Sequence, residues 1–432
     1  MDENTLYTPD HTRYFHSFRQ DLCKWSYSGE EPGDGDAALR SGLTLQQQRL
    51  QQLGLQMTLE LEPFGRLINL HQVNSRNALL KDTFLSKYTH YIFGQPSRRT
   101  VCYYGRGRCL HREKKSILFY ETIYYPNPRN RTLPSTPYSC PGCGAVTTLG
   151  ELTEGGCPYC GSHFEMPEFF PKVCNYFSVD GAPSSPDILR KDALKLPLMA
   201  LVLGLVWFPC SIFWLFSQAG GSAEEFVRLL SGASYIFTWY LAALFCLLPL
   251  MLLGRLFLAG FESSRVILGS ARSKDRLAEK LGALDPCFSY VYFEAKALSL
   301  SRILLFREDP TSCVQYEGRT LGRKFRNVID LQYRGGMKLR SIRKTGENIL
   351  VKLDVFVTLT RLKGNRIREE KRKLHLTLRH RADFPTVSGF TIRRVQCGGC
   401  SGSFDAGIHR VCPYCGKAYD PARPDWVVTE LH

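Results

Sequence analysis

Apolar positions are spread unevenly along the chain. Leu196 to Phe216 gives 21 residues without a charge, and Leu229 to Gly254 gives 26. At about 1.5 Å per residue, either run is long enough as a helix to cross a hydrocarbon core of about 30 Å. Pro197, Pro209 and Pro249 would interrupt a soluble helix but are tolerated in membrane spans. Trp214, Phe216, Tyr235, Trp239 and Tyr240 read as an aromatic belt on one shared interface. The pattern predicts a two-helix transmembrane hairpin over 194–260. The loop between the runs carries Glu224, Glu225 and Arg228. Arg190, Lys191 and Lys195 precede the first run, and Arg255, Arg265, Arg272, Lys274 and Arg276 follow the second. This bias puts both termini in the cytoplasm, as expected of a multi-pass cell-membrane protein. The first twenty residues hold Asp2, Glu3, Asp10, Arg13 and Arg19 and no apolar run, so no signal peptide is expected.

Elsewhere the periodicity is that of a globular chain. Phe288 to Phe306 places Val291, Ala295, Leu298 and Ile303 at helical spacing, bounded by Pro286 and by Asp309-Pro310. From Ile349 to Thr360 the period becomes two. Val351, Leu353, Val355, Val357 and Leu359 share one face, with Lys352, Asp354, Thr358 and Thr360 opposite. Gly364-Asn365 marks a turn, and Leu374, Leu376 and Leu378 alternate with polar residues in a second strand. Phe390 to Val395 reads as a third. These elements predict an α+β fold with helices on one face of a small, twisted antiparallel sheet.

Cysteine supplies the strongest motif. Eight of the sixteen cysteines fall in C-x-x-C pairs: Cys140/Cys143 with Cys157/Cys160, and Cys397/Cys400 with Cys412/Cys415. The gaps between paired knuckles are 13 and 11 residues. Each pair can form a tight turn that aims two thiolates at one point, and two such turns make a tetrahedral site. Glycine follows three of the pairs, permitting the backbone geometry that faces amides toward sulfur. The exception is Cys400, followed by Ser401 and then Gly402. Four thiolates in a closed set favour Zn2+ as two structural ions, with iron in a rubredoxin-like site as the alternative. Unpaired cysteines scattered elsewhere fit a reducing compartment better than a disulfide framework.

The ribbons sit in a larger repeat. Arg112-Glu-Lys-Lys precedes Cys140 by 28 residues, and Arg368-Glu-Glu-Lys precedes Cys397 by 29. Two copies of one unit are expected, flanking the hairpin. The domains are then an N-terminal α+β lobe at 1–135, a first zinc ribbon at 136–180, the hairpin at 194–260, a C-terminal α+β domain at 280–395 and a second ribbon at 396–432. The net charge is +16, and the stretch Arg319–Arg381 holds 19 Lys or Arg against five Asp or Glu. Such a stretch favours anionic lipid head groups, nucleic acid or acidic protein.

Phe288-Ser-Tyr-Val-Tyr-Phe-Glu, Gln315-Tyr-Glu-Gly, Ile329-Asp-Leu-Gln-Tyr-Arg-Gly-Gly-Met and Trp426-Val-Val-Thr-Glu resemble bacterial zinc-ribbon membrane proteins. Those carry a domain similar to the mitochondrial import-motor tether (TIM-forty-four-like) family. The resemblance implies a cone-like α+β domain with an apolar groove, engaging anionic lipid, translocation machinery or ribosomes. No Walker loop, H-E-x-x-H or G-x-S-x-G is found, and the apolar runs hold no ionisable residue, so no catalytic site is expected. The functional expectation is a two-pass membrane-anchored zinc-ribbon protein. It binds or tethers a partner at the cytoplasmic face: protein, translocation machinery for protein transport, or anionic lipid. The alternative is a membrane-associated RNA- or ribosome-binding protein, with Tyr333, Phe325 and Phe356 offered either as stacking surfaces or as core.

Overall fold

The computed structural model describes residues 11–69, 87–127, 130–180, 273–285, 287–322, 325–383, 394–405, 409–423 and 425–432, and three positions between 227 and 232. The chain divides into two compact units, one formed by Met1–Gly181 with Val266–His432 and the other by Ala182–Arg265. All described elements below belong to the first unit.

Helix α1 (His11–Ser28) places Phe15, Phe18, Leu22 and Trp25 on one stripe, and all four are buried. Helix α2 (Ala37–Gln52) starts where the Asp36 carboxylate accepts the Leu39 N–H at 2.7 Å. It ends before Gly54, at φ +66. Strands β1 (Leu55–Pro63), β2 (Ile68–Asn69), β3 (Tyr88–Gly105) and β4 (Arg108–Pro126) follow. Arg106 and Gly107, both at positive φ, make the two-residue turn that joins β3 to β4. Next come β5 (Pro137–Ser139), β6 (Val146–Thr148), the short helices α3 (Leu149–Glu154) and α4 (Met166–Phe169), and β7 (Lys172–Asp180). The sheet order is β1-β3-β4-β7, antiparallel, with β2 beside β3.

The second half repeats this plan. A helical stretch at 273–282 precedes helix α5 (Tyr290–Phe306), capped by Ser289. Strands β8 (Val328–Thr345), β9 (Asn348–Lys363) and β10 (Arg366–Arg381) form a meander. The hairpin of β11 (Arg394–Gln396) and β12 (Ser403–Asp405) intervenes before β13 (Val427–Leu431). The order is β8-β9-β10-β13. In both halves two helices precede the sheet, and a cysteine-bearing segment separates its last strand from the one before.

The halves are joined by packing and by buried polar contacts. Helix α2 lies against α5, and β7 runs beside β8. Gln46 on α2 donates to the Ile329 carbonyl and to Asp330, each at 3.0 Å. Arg302 on α5 donates to the Tyr176 carbonyl at 3.0 Å and stacks its guanidinium over the Tyr176 ring at 4.5 Å. Arg99 bridges Glu113 at 3.2 Å and Asp330 at 3.5 Å. Helix α5 is apolar overall because it is enclosed, and its charged residues each find partners. Glu294 accepts from the Tyr290 and Tyr333 hydroxyls, Lys296 pairs with Asp425, and Arg302 is held as above.

These elements correct the membrane expectations. No helix among the described residues is long and apolar enough to cross a membrane. The longest, α1, has 18 residues and carries Arg13, Arg19, Asp21 and Lys24. The 17 residues of α5 include Glu294, Lys296 and Arg302. A span needs about 20 predominantly apolar residues. The runs at 196–216 and 229–254 lie outside the described residues. The architecture is therefore two small antiparallel sheets with helices, and the two-helix transmembrane hairpin is no part of the described fold. Cell-membrane placement with cytoplasmic termini, the anionic-lipid partner, and membrane tethering or membrane-associated RNA binding lose their structural basis with it. Phe325 and Tyr333 lie in the core, while Phe356 sits on the sheet face away from it.

Candidate metal centres

The eight cysteines of the sequence motif gather into two clusters. In each, the four sulfurs lie within 4.8 Å of one another. The first pairs β5 and β6 around one knuckle, Cys140 to Cys143, and sets a second, Cys157 to Cys160, beyond α3. Cys140 Sγ lies 3.7 Å from Cys160 Sγ, and Cys143 Sγ lies 3.7 Å from Cys157 Sγ. In the second cluster the corresponding distances are 3.5 Å for Cys397 to Cys415 and 3.6 Å for Cys400 to Cys412. A tetrahedron with metal–sulfur bonds of about 2.3 Å has sulfur–sulfur edges of about 3.8 Å. The clusters are thus close to the size that a tetrahedral thiolate site requires.

One backbone design produces all four knuckles. The N–H four residues after the first cysteine donates to that cysteine's carbonyl: Gly144 to Cys140, Gly161 to Cys157, Ser401 to Cys397 and Gly416 to Cys412, at 2.8 to 2.9 Å. The first cysteine's own N–H then donates to the next residue along, Ala145, Ser162, Gly402 or Lys417. The turn requires left-handed backbone at the residue after the second cysteine. Gly144, Gly161 and Gly416 supply it at φ 72 to 74, and Ser401 supplies it at φ 59 with a side chain attached. The sequence exception is a difference of residue, not of geometry.

Local hydrogen bonds divide the thiols electrostatically. The Ser162 hydroxyl, 3.3 Å from Cys160 Sγ, and the Ser162 backbone lower the Cys160 thiol to about 6. The N–H groups of Cys400 and Gly399 do the same for Cys397, also to about 6. The Ala145 N–H favours the Cys143 thiolate, but burial and three neighbouring sulfurs outweigh it and push that thiol to about 12. Cys415 behaves alike, raised to about 12 although the Lys417 N–H opposes the shift. Four sulfurs this close cannot all ionise unless a cation sits among them, which a dication of suitable size would do. Sequence reasoning did not find Ser162 or Lys417, whose ammonium reaches the Gly398 carbonyl at 3.1 Å. Their equivalent positions two residues after the last cysteine are the only sequence signal.

The two centres differ in what surrounds them. The first is continuous with a hydrophobic cluster of Leu149, Leu152, Phe169 and Phe170 against Tyr88 and Tyr124, reaching Tyr292 and Ala295 of α5. The Thr148–Glu151 capping box fixes the start of α3 at its edge. Among the described residues the second packs Phe404, with Val395 and Tyr419 partly buried. Arg410 ties it to the main fold by donating to the carbonyls of Cys313 at 3.2 Å and Tyr316 at 2.7 Å.

No protein-family model, curated protein or solved structure matches the chain. With no crossing helix among the described residues either, the resemblance to zinc-ribbon membrane proteins of the TIM-forty-four-like family is corrected.

Proposed function

We propose that the chain is a zinc-binding protein with two structural zinc ions that acts by binding rather than by catalysis. One ion is held by Cys140, Cys143, Cys157 and Cys160, the other by Cys397, Cys400, Cys412 and Cys415. The observation that carries this reading is the fourfold repetition of one knuckle, with facing sulfurs 3.5 to 3.7 Å apart. Thiolates suit zinc, and four protein ligands leave no coordination position for water or substrate. The ion's work is then to hold chain segments together. In the first centre these segments reach both halves of the fold through Tyr292 and Ala295.

Elemental analysis of the purified, reduced chain tests this. Two zinc ions per chain are expected, falling to one when Cys157 or Cys412 is replaced by serine. An iron–thiolate absorption spectrum, or less than one metal ion per parent chain, overturns the reading.

A further inference from the structure

The outer face of the second sheet gathers side chains that the zinc centres do not use. On β9 the odd positions from Val351 to Leu359 are buried in the core, so the even positions point the other way. Register places their neighbours. Asp354 stands opposite Lys338 on β8 and His375 on β10, Phe356 opposite Lys373, and Thr358 opposite Lys371. The irregularity between Leu339 and Ser341 turns Arg340 onto this face, where it binds Asp354 at 2.7 Å through Nε. Lys338, Arg340, Lys352, Lys371 and Lys373 are exposed. Phe356 is partly exposed, with the Lys373 ammonium 5.7 Å from its ring centre.

The acidic groups on this face are already engaged: Glu369, opposite Thr360 and next but one to Lys371, is held by Lys115 at 2.7 Å. Asp354 is covered by Arg340 and His375 and is only 1% exposed. Burial alone would raise its carboxyl, but the hydrogen bonds from Arg340 and His375 hold it below the usual range. Glu430 lies at the sheet edge, 3.8 Å from Lys352. Cations in rows on either side of a strand, with an aromatic ring between them, match a linear polyanion that also has flat faces to stack. An acidic peptide satisfies the charges but not the ring. We infer that this face binds single-stranded nucleic acid, its phosphates on Lys338, Arg340, Lys352, Lys371 and Lys373 and a base against Phe356.

The test uses the full zinc-loaded chain and a fluorescein-labelled oligouridylate, read by anisotropy across about 50 to 200 mM salt. Lys338→Glu/Lys373→Glu is compared with the charge-matched Arg112→Glu/Lys114→Glu, exposed positions on β4. The face variant should weaken binding at least tenfold and reduce the salt slope by about 1.4, at about 0.7 per phosphate. The β4 variant should change affinity less than about twofold. Phe356→Leu, with melting temperature checked, should cost at least about fivefold without altering the slope. Absence of binding by the parent chain overturns the inference. So does equal weakening by both charge variants, or displacement of the oligonucleotide by vesicles containing anionic lipid.

Discussion

Replacing Cys157 and Cys412 by serine, one at a time, removes equivalent ligands from the two centres but should not have equivalent effects. Each substitution is expected to release one zinc ion. The first centre carries Leu149, Leu152, Phe169 and Phe170 on the segment that its metal organises, all buried. At about 1.5–3 kcal/mol for each large apolar side chain, about 6–12 kcal/mol of burial depends on it. Among the described residues the second carries one such residue, Phe404, or about 1.5–3 kcal/mol. The unit holding both spans about 350 residues. At about 2.1 cal/mol/K per residue its unfolding entropy makes 1 kcal/mol worth about 1.4 °C. Differential scanning calorimetry of the full chain should show Cys157→Ser lowering the melting temperature by about 8–16 °C, and Cys412→Ser by about 2–4 °C. Equal shifts, or a larger shift at the second centre with metal content down to one in both variants, would refute the claim that local packing sets each ion's contribution.

Three further outcomes are expected. Ser401→Gly relieves a side chain at φ 59 and should stabilise the second centre by about 1 kcal/mol, slowing zinc loss to a chromogenic chelator about fivefold; unchanged kinetics would contradict it. Burial raises the Asp36 carboxyl to about 7 in the fold, against the opposing charges of Lys296 and Arg40. The folded chain therefore keeps a proton that the unfolded chain releases, and stability declines as pH rises from about 4 to 7. Asp36→Asn retains an acceptor for the Leu39 N–H, so it should match the parent near pH 4 and exceed it above pH 7 by up to about 4 kcal/mol, and parallel profiles in denaturant titrations would count against this. Arg302→Met leaves the Asn175 and Tyr176 acceptors buried without their donor and should cost about 2–4 kcal/mol by chemical denaturation; a loss below about 1 kcal/mol would show that this joint is dispensable.

The four-cysteine clusters were legible in the sequence because their chemistry is local. Ligands at fixed spacing and a glycine beyond them define a knuckle before anything else folds. The strand centred on Val355 was legible for a related reason, since it turns one regular apolar face to the core, and the helix ending at Phe306 because its apolar positions recur between a proline and an Asp-Pro. That this helix is enclosed on every side, with only Val291 of the expected stripe left partly exposed, was not. Strand β8 was not. Its outer half carries Lys338, Arg340, Arg343 and Lys344, and three register shifts against β9 destroy the alternation by which a strand is recognised. The segment expected as a third strand at 390–395 is described only from Arg394, where it joins the cysteine hairpin through β11. The joint between the halves was invisible because it rests on pairs such as Gln46 with Asp330, more than 280 residues apart.

Each sheet is interrupted at the same place, just before its last strand, by the segment that carries the cysteines. β4 ends at Pro126 and β7 begins at Lys172; β10 ends at Arg381 and β13 begins at Val427. Until that detour is cinched, the last strand of each sheet is tethered to its neighbour only by a long slack loop, whose closure costs more entropy than a short one. Scarcity of metal during synthesis would therefore leave both sheets without their last strand, each with a bare rim of amides open to adhesion with other chains. On this view the supply of the ion governs the timetable by which the sheets are sealed.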